Sequence, residues 1–182
     1  HGDEDHDTTV RAAVPYWLKS FWGHRVAGGT SVAKYVNLMP IYIPRDMTID
    51  EIYFSLETIS AGKSCRIGLY KDNDGTPVGG ALLYDSGNLS VGVAGAIGGA
   101  FTPIAVTKGI LWAALAVEDA IQGFSIDSVS YPQILATGSD PAFGGAYYVL
   151  GTFGALTDPC PAITVNRWSR FVFHVHVASV DD

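Results

Sequence analysis

The side chains in this chain best suited to chemistry are a pair of histidines, scattered carboxylates and a late run of aromatic rings. His174 and His176 stand two residues apart. In an extended strand that spacing puts both imidazoles on one face, where they could share a metal ion. A metal would need a third ligand and groups to orient the imidazoles. His24 is the only further histidine beyond residue 6, so two half-exposed strand histidines is the simpler reading. Asp72-Asn73-Asp74-Gly75 has the texture of a calcium loop. A loop of that type needs a carboxylate where Tyr70 stands and a glutamate where Ala81 stands. The same four residues suit a hairpin turn, in which Asp, Asn and Gly tolerate left-handed backbone. Asp50, Glu51, Asp85, Glu118 and Asp119 could supply an acid–base pair, yet none lies in a supporting motif. There is no nucleophile elbow and no glycine-rich loop set between a strand and a helix for phosphate. No catalytic residue and no metal-binding residue is assigned, no cofactor is implied, and enzyme activity is not expected.

His1 raises a separate idea. A free N-terminal histidine can chelate copper through its amine and ring, with a second histidine completing the brace. Polysaccharide monooxygenases, which are also β-sandwiches, use that chemistry, so a secreted copper oxygenase or a secreted lectin is a remote alternative. The neighbours Asp3, Glu4, Asp5 and Asp7 read instead as an acidic arm without an anchor. The aromatic rings are more informative. Tyr131, Phe143, Tyr147, Tyr148 and Phe153 gather late in the chain. Rings stack on sugar faces and supply contact area at low entropic cost. Tyr131, Tyr147, Tyr148 and Phe153 are therefore the candidate ligand-binding residues, with core or interface packing as the structural alternative. Alternation along a strand would turn one of Tyr147 and Tyr148 inward and the other outward.

The elements that must position these residues read as strands. Tyr35 to Ile43 is one, closed by Pro44. In Met47 to Ile59, Ile52, Phe54 and Leu56 alternate with Tyr53, Ser55 and Glu57, and the Asp50-Glu51 pair interrupts the phase as a bulge would. Ser64 to Lys71 and Ala81 to Asp85 follow. Leu89 to Gly99 is glycine-rich with room for one short strand, and Ala100 to Thr107 comes next. Gly92 to Phe101 has the small apolar texture of membrane-inserting peptides, but its glycines suit a loop, an edge bulge or a subunit contact better. Ile110 to Glu118 is almost continuously apolar, as a strand buried on both faces would be. Gly123 to Ser130 is a further strand, Pro132 to Gly145 a loop, and Ala146 to Phe153 β-prone. In Trp168 to Ala178, Phe171, Phe173, Val175 and Val177 share one face, while Arg170, Val172, His174 and His176 share the other. Only the region near Trp17 shows a weak helical period. Val14 to Trp22 is apolar enough to pack on the domain or on a neighbour.

Turn signals recurring every 8–12 residues or so predict an all-β, antiparallel β-sandwich of jelly-roll type. The expected division is an N-terminal arm, short and non-β, with a lead-in segment, together residues 1–34, and one sandwich domain over 35–182. Charged residues make up 16% of the chain, below the ~25% of ordinary globular proteins, which suits a surface covered by partner subunits. A net charge of −7 with 11 scattered basic residues argues against nucleic acid, whose phosphates need clustered Lys and Arg. The longest clean apolar run, Ile110 to Val117, is too short to span a bilayer as a helix, and no membrane insertion is expected. No secretory signal pattern opens the chain. Cys65 alternates with Ile67 and Leu69 and should point inward. Cys160 lies between two prolines, and a disulfide between the two stays open.

Four segments, in order, carry a resemblance. Leu38-Met39-Pro40-Ile41-Tyr42-Ile43-Pro44 is followed by Arg66-Ile67-Gly68-Leu69-Tyr70, an Asp/Asn/Gly turn, and Leu82-Leu83-Tyr84-Asp85-Ser86-Gly87. Gly109-Ile110-Leu111-Trp112-Ala113-Ala114-Leu115-Ala116 and Thr152-Phe153-Gly154-Ala155-Leu156-Thr157-Asp158-Pro159-Cys160-Pro161 complete the set. Together they resemble a β-sandwich module of tailed-bacteriophage virion proteins, commonest at the distal ends of tail fibres. The resemblance implies a virion-surface location, host-receptor recognition with bacterial surface glycan as the target, and assembly as a homotrimer. It supplies no catalytic residues and no settled ligand residues. A capsid decoration or head-fibre protein, with its N-terminal arm contacting other virion proteins, is the structural alternative.

Overall fold

Twelve strands form in chain order in the computed structural model: β1 Tyr16–Lys19, β2 Arg25–Ser31, β3 Tyr35–Ile43, β4 Met47–Thr58, β5 Ser64–Lys71, β6 Leu82–Asp85, β7 Leu89–Ser90, β8 Gly95–Val106, β9 Gly109–Val117, β10 Ile121–Ile126, β11 Tyr147–Leu150 and β12 Phe173–Val180. The structure describes residues 16–19, 25–31, 35–126, 147–150, 152–162 and 171–180. There is no helix among them. The strands make two six-stranded sheets. The first runs β1-β12-β4-β10-β2 with β8 added along β4, and the second runs β11-β3-β9-β5-β6 with β7 added to β5. The chain is an antiparallel β-sandwich, as the turn spacing predicts.

Alternation decides what lies between the sheets. Ile52, Phe54 and Leu56 of β4 and Phe173, Val175 and Val177 of β12 face inward with Phe171, meeting Met39, Ile41 and Ile43 of β3, Cys65, Ile67 and Leu69 of β5, and Leu115 of β9. Phe54 meets Phe171 edge-on, with ring centroids 5.9 Å apart and planes at 82°. Such a pair adds about 0.5–1.5 kcal/mol to the area it buries.

β9 explains its own continuous apolar run. Leu111, Ala113, Leu115 and Val117 enter the main core, while Trp112, Ala114 and Ala116 join a second cluster with Leu38, Tyr70, Leu156 and Cys160. That second cluster lies on the other face of the second sheet. It is covered by the 152–162 segment, which crosses the sheet as a strap. One carboxylate anchors the strap. Asp85 accepts from Nε and Nη2 of Arg66 at 2.9 and 3.0 Å, from the Gly87 amide at 3.0 Å and from the Leu156 amide at 3.0 Å. Tyr70 donates its hydroxyl to the Thr157 carbonyl at 2.8 Å, and the Leu82 amide donates to Asp158 at 2.9 Å. Backbone bonds join Cys160 to Gly79 and Gly80. Gly68 makes room for the strap, because a Cβ there would lie 2.2 Å from Cδ1 of Leu156 and 3.0 Å from the Tyr84 carbonyl.

Several expectations change. Within the lead-in segment of residues 1–34, β1 and β2 pair into the first sheet. Tyr16 and Leu18 pack against the core and Trp17 lies on the other face. The period near Trp17 is therefore that of a strand, and four residues are too few to separate the two periods. The glycine-rich stretch after Gly95 is a strand rather than a loop. β8 is continuous from Gly95 to Val106 because β4 pairs with it along its length. Cys65 and Cys160 are both free and buried, one in each cluster, on opposite faces of the second sheet. The loop expected over Pro132 to Gly145 lies outside the described residues.

Two outcomes test the strap. Gly68→Ala should cost about 1–3 kcal/mol, the scale of overpacking, read as a lowered Tm. At Asp85, burial acts to raise the carboxyl pKa, but the hydrogen bonds from Arg66, Leu156 and Gly87 outweigh it and hold the group below its ordinary 3.8. The folded value is the lower one, so this carboxylate stabilises the fold above pH 3.8 and that contribution is lost as the pH falls through the folded value. Thermal melts of Asp85→Asn between neutral and strongly acid pH should start lower than wild type and lose less stability across the acid range.

Candidate functional site

The outer face of the first sheet carries an aromatic and acidic platform, and a bulge creates it. β12 pairs His176 with Glu51 and Val177 with Ile49, leaving Asp50 as an extra residue on β4. Consecutive strand residues normally face opposite ways. Here Ile49 and Ile52 are both buried while Asp50 and Glu51 both stay partly exposed, so two adjacent carboxylates reach the same surface. This is the phase break visible in the sequence.

Register places the rest. Trp17 of β1 lies opposite His176 of β12, and His176 lies opposite Glu51 of β4. The Trp17 ring sits 4.9 Å from the His176 ring at 54° and 5.5 Å from the Tyr53 ring at 46°. His176 Nδ1 meets Asp50 Oδ1 at 2.5 Å, and the Tyr53 hydroxyl donates to Glu51 Oε1 at 2.9 Å. That hydrogen bond raises the pKa of the Tyr53 phenol, with smaller contributions from desolvation and the Glu51 charge. Trp17 is 43% exposed. Across β4, the partners of Glu51, Tyr53 and Ser55 on β8 are the small residues Ala100, Gly98 and Ala96. Gly98 has φ +146°, and a Cβ there would lie 2.0 Å from the Ile52 carbonyl. Glycine is thus required for β8 to lie flat beside Tyr53.

The arrangement offers a flat ring at fixed tilt bordered by hydrogen-bonding groups. Chemically this suits stacking against the C–H face of a sugar while carboxylates accept from its hydroxyls. Two concave features lie elsewhere. A cavity of about 180 Å3 sits beneath the strap, bounded by Leu38, Tyr70, Ala116, Leu156 and Cys160 among others. A broad groove runs between β6 and β8, floored by Tyr84 and Phe101, whose rings stand 4.3 Å apart.

Of the candidates read from the sequence, those among the described residues lie away from the platform. Tyr147 and Tyr148 are on β11, opposite Leu38 and Asn37 of β3 at the edge of the second sheet. Phe153 is partly buried at the start of the strap and packs on the second cluster, so it contributes to holding the strap. Tyr131 lies outside the described residues, as does His1. Of the histidine pair, His176 is engaged by Asp50. No group of three metal-ligating side chains occurs among the described residues. In the Asp72–Gly75 turn, Asp72 accepts from the Gly75 amide at 2.9 Å and from Trp112 Nε1 at 2.7 Å. Asp74 has φ +53° there, a hairpin turn and not a cation loop. Sequence reasoning missed the platform as a unit. Its signals were Tyr53 on the polar side of an alternating strand and the doubled carboxylate beside it.

No family model and no curated protein matches this chain. Among solved structures it is similar to one described as "the cysteine protease and lectin-like domains of Cwp84, a surface layer associated protein of Clostridium difficile". The identity is 10% and the TM-score 0.50, over 90% of this chain and 35% of that one. The chain therefore spans about a third of that protein's length, and at this identity the likeness is one of fold.

Both thiols are silenced by burial, which pushes Cys65 up to about 12 and Cys160 up to about 11. A thiol reagent at neutral pH should leave them unmodified in the folded protein and titrate them on unfolding. Prompt reaction of Cys160 in the native state would show that the strap does not stay docked.

Proposed function

We propose that this chain is a non-catalytic glycan-binding β-sandwich, with the Trp17–Tyr53–His176 platform as its sugar-contacting face. The observation that carries the reading is the half-exposed Trp17 ring, held at fixed tilt between two other rings on a rigid sheet. A sheet loses little conformational entropy on binding, and a locked indole loses almost none. The fold likeness to a protein described as having a lectin-like domain lends support at the level of architecture. The proposed setting is a tailed-phage particle, as a homotrimer with the N-terminal arm contacting other virion proteins. That setting is supported by the sequence resemblance in the four segments given above. All four segments meet in the structure: β3 through Leu38, the β5–β6 hairpin, the Trp112 face of β9 and the strap.

Two experiments test this. On an array of bacterial surface polysaccharides, binding by the wild-type chain should fall at least about tenfold in Trp17→Ala, the scale of an interface hot spot. Circular dichroism should show the fold retained, because the ring is half outside. Tyr148→Ala should retain binding. Loss in Tyr148→Ala alone would move the contact to the edge of the second sheet, and silence across the array would defeat the glycan reading. Antibody raised against the chain should label the tail tip of a particle, whereas labelling of the capsid would identify a decoration protein.

A further inference from the structure

We infer that the platform selects sugars bearing a free amino group, an inference that rests on the glycan reading above and narrows it. The reason is the polarity of the hydrogen-bonding rim. Tyr53 commits its hydroxyl proton to Glu51, so its oxygen offers the ligand lone pairs only. In neutral His176 the contact with Asp50 places the proton on Nδ1, which leaves Nε2 as an acceptor. The Asp50 and Glu51 carboxylates accept and never donate. With His176 neutral and the Tyr53 and His176 protons committed to Glu51 and Asp50, the Trp17 indole N–H is the one donor the five side chains leave for a ligand.

A ligand that fits such a rim must bring donors. A sugar hydroxyl brings one donor along with its own lone pairs. An N-acetyl group brings one N–H and a carbonyl for which this rim offers the Trp17 indole N–H alone. A protonated amine brings three donors and no acceptor, and carries the charge that two neighbouring carboxylates favour. The negative face of the Trp17 ring adds cation–π attraction. A uronic acid or a sulfated sugar meets like charge and acceptors facing acceptors. The bulge makes this selectivity, since without it Asp50 would turn inward and only one carboxylate would flank the ring. Lys19 lies opposite His174, two residues from Trp17 along β1.

The test is calorimetry on the full chain with three oligosaccharides of equal length: β-1,4-glucosamine, its fully N-acetylated counterpart, and an oligouronate. The glucosamine oligomer should bind on the order of tenfold more tightly than the acetylated one, and the oligouronate should be weakest. Glu51→Gln keeps an acceptor for Tyr53 but removes the charge, and should shrink the ratio between the first two sugars. Asp50→Asn should shrink it too, and serves as the second variant should either one fold poorly. Equal affinity for amino and acetylated sugars, both lost in Trp17→Ala, would overturn the amine selectivity and leave the platform standing as a sugar site. Binding of any of the three sugars that Trp17→Ala does not weaken, or none at all, would overturn both.

Discussion

Everything in this protein depends on which side of a sheet each residue faces. In β4 and β12 the apolar set lies on one side, and a slip of one residue would bring His174 and His176 into the core and expose Phe173 and Val175. The edge-on contact of Phe54 with Phe171 helps to close off that slip. Once register is settled, the polar sides of the same two strands have only one place to go. They form the surface on which Tyr53, Glu51 and His176 meet.

The second sheet follows a different logic. Its outer face is apolar too, and a bare apolar face of that size would seek a partner. The chain covers it with its own strap. The hold is partly dispersive, through Leu156 over Gly68 and Ala114, and partly ionic. Asp85 gathers a bidentate arginine and two backbone amides, which offsets the cost of taking a carboxylate out of full solvent. The segments around Arg66, Asp85 and the Gly-Ala-Leu stretch are thus chiefly a docking device.

Placing the proposed contact on strands has a physical advantage over placing it on loops. The Trp17 ring is set by a four-residue strand paired to β12 and by its two ring neighbours, so its tilt does not depend on a flexible backbone. The bulge at Asp50 concentrates charge beside the ring without disturbing the core on the other side of β4.

Much of this was legible in the chain itself. Two-residue alternation marked β4, β5 and β12 and their buried faces, the unbroken apolar run marked β9, and the broken phase at Asp50-Glu51 marked the bulge. These are local consequences of the pleat, readable without knowing any partner strand. The tertiary structure alone decided that Trp17, His176 and Tyr53 meet, because they come from strands distant in sequence and only register brings them opposite. It alone decided that the 152–162 segment closes over the second sheet and that the glycine-rich stretch after Gly95 is a strand. Pairing with β4 overrides the weak strand propensity of glycine, and no local pattern announces a pairing made across forty residues.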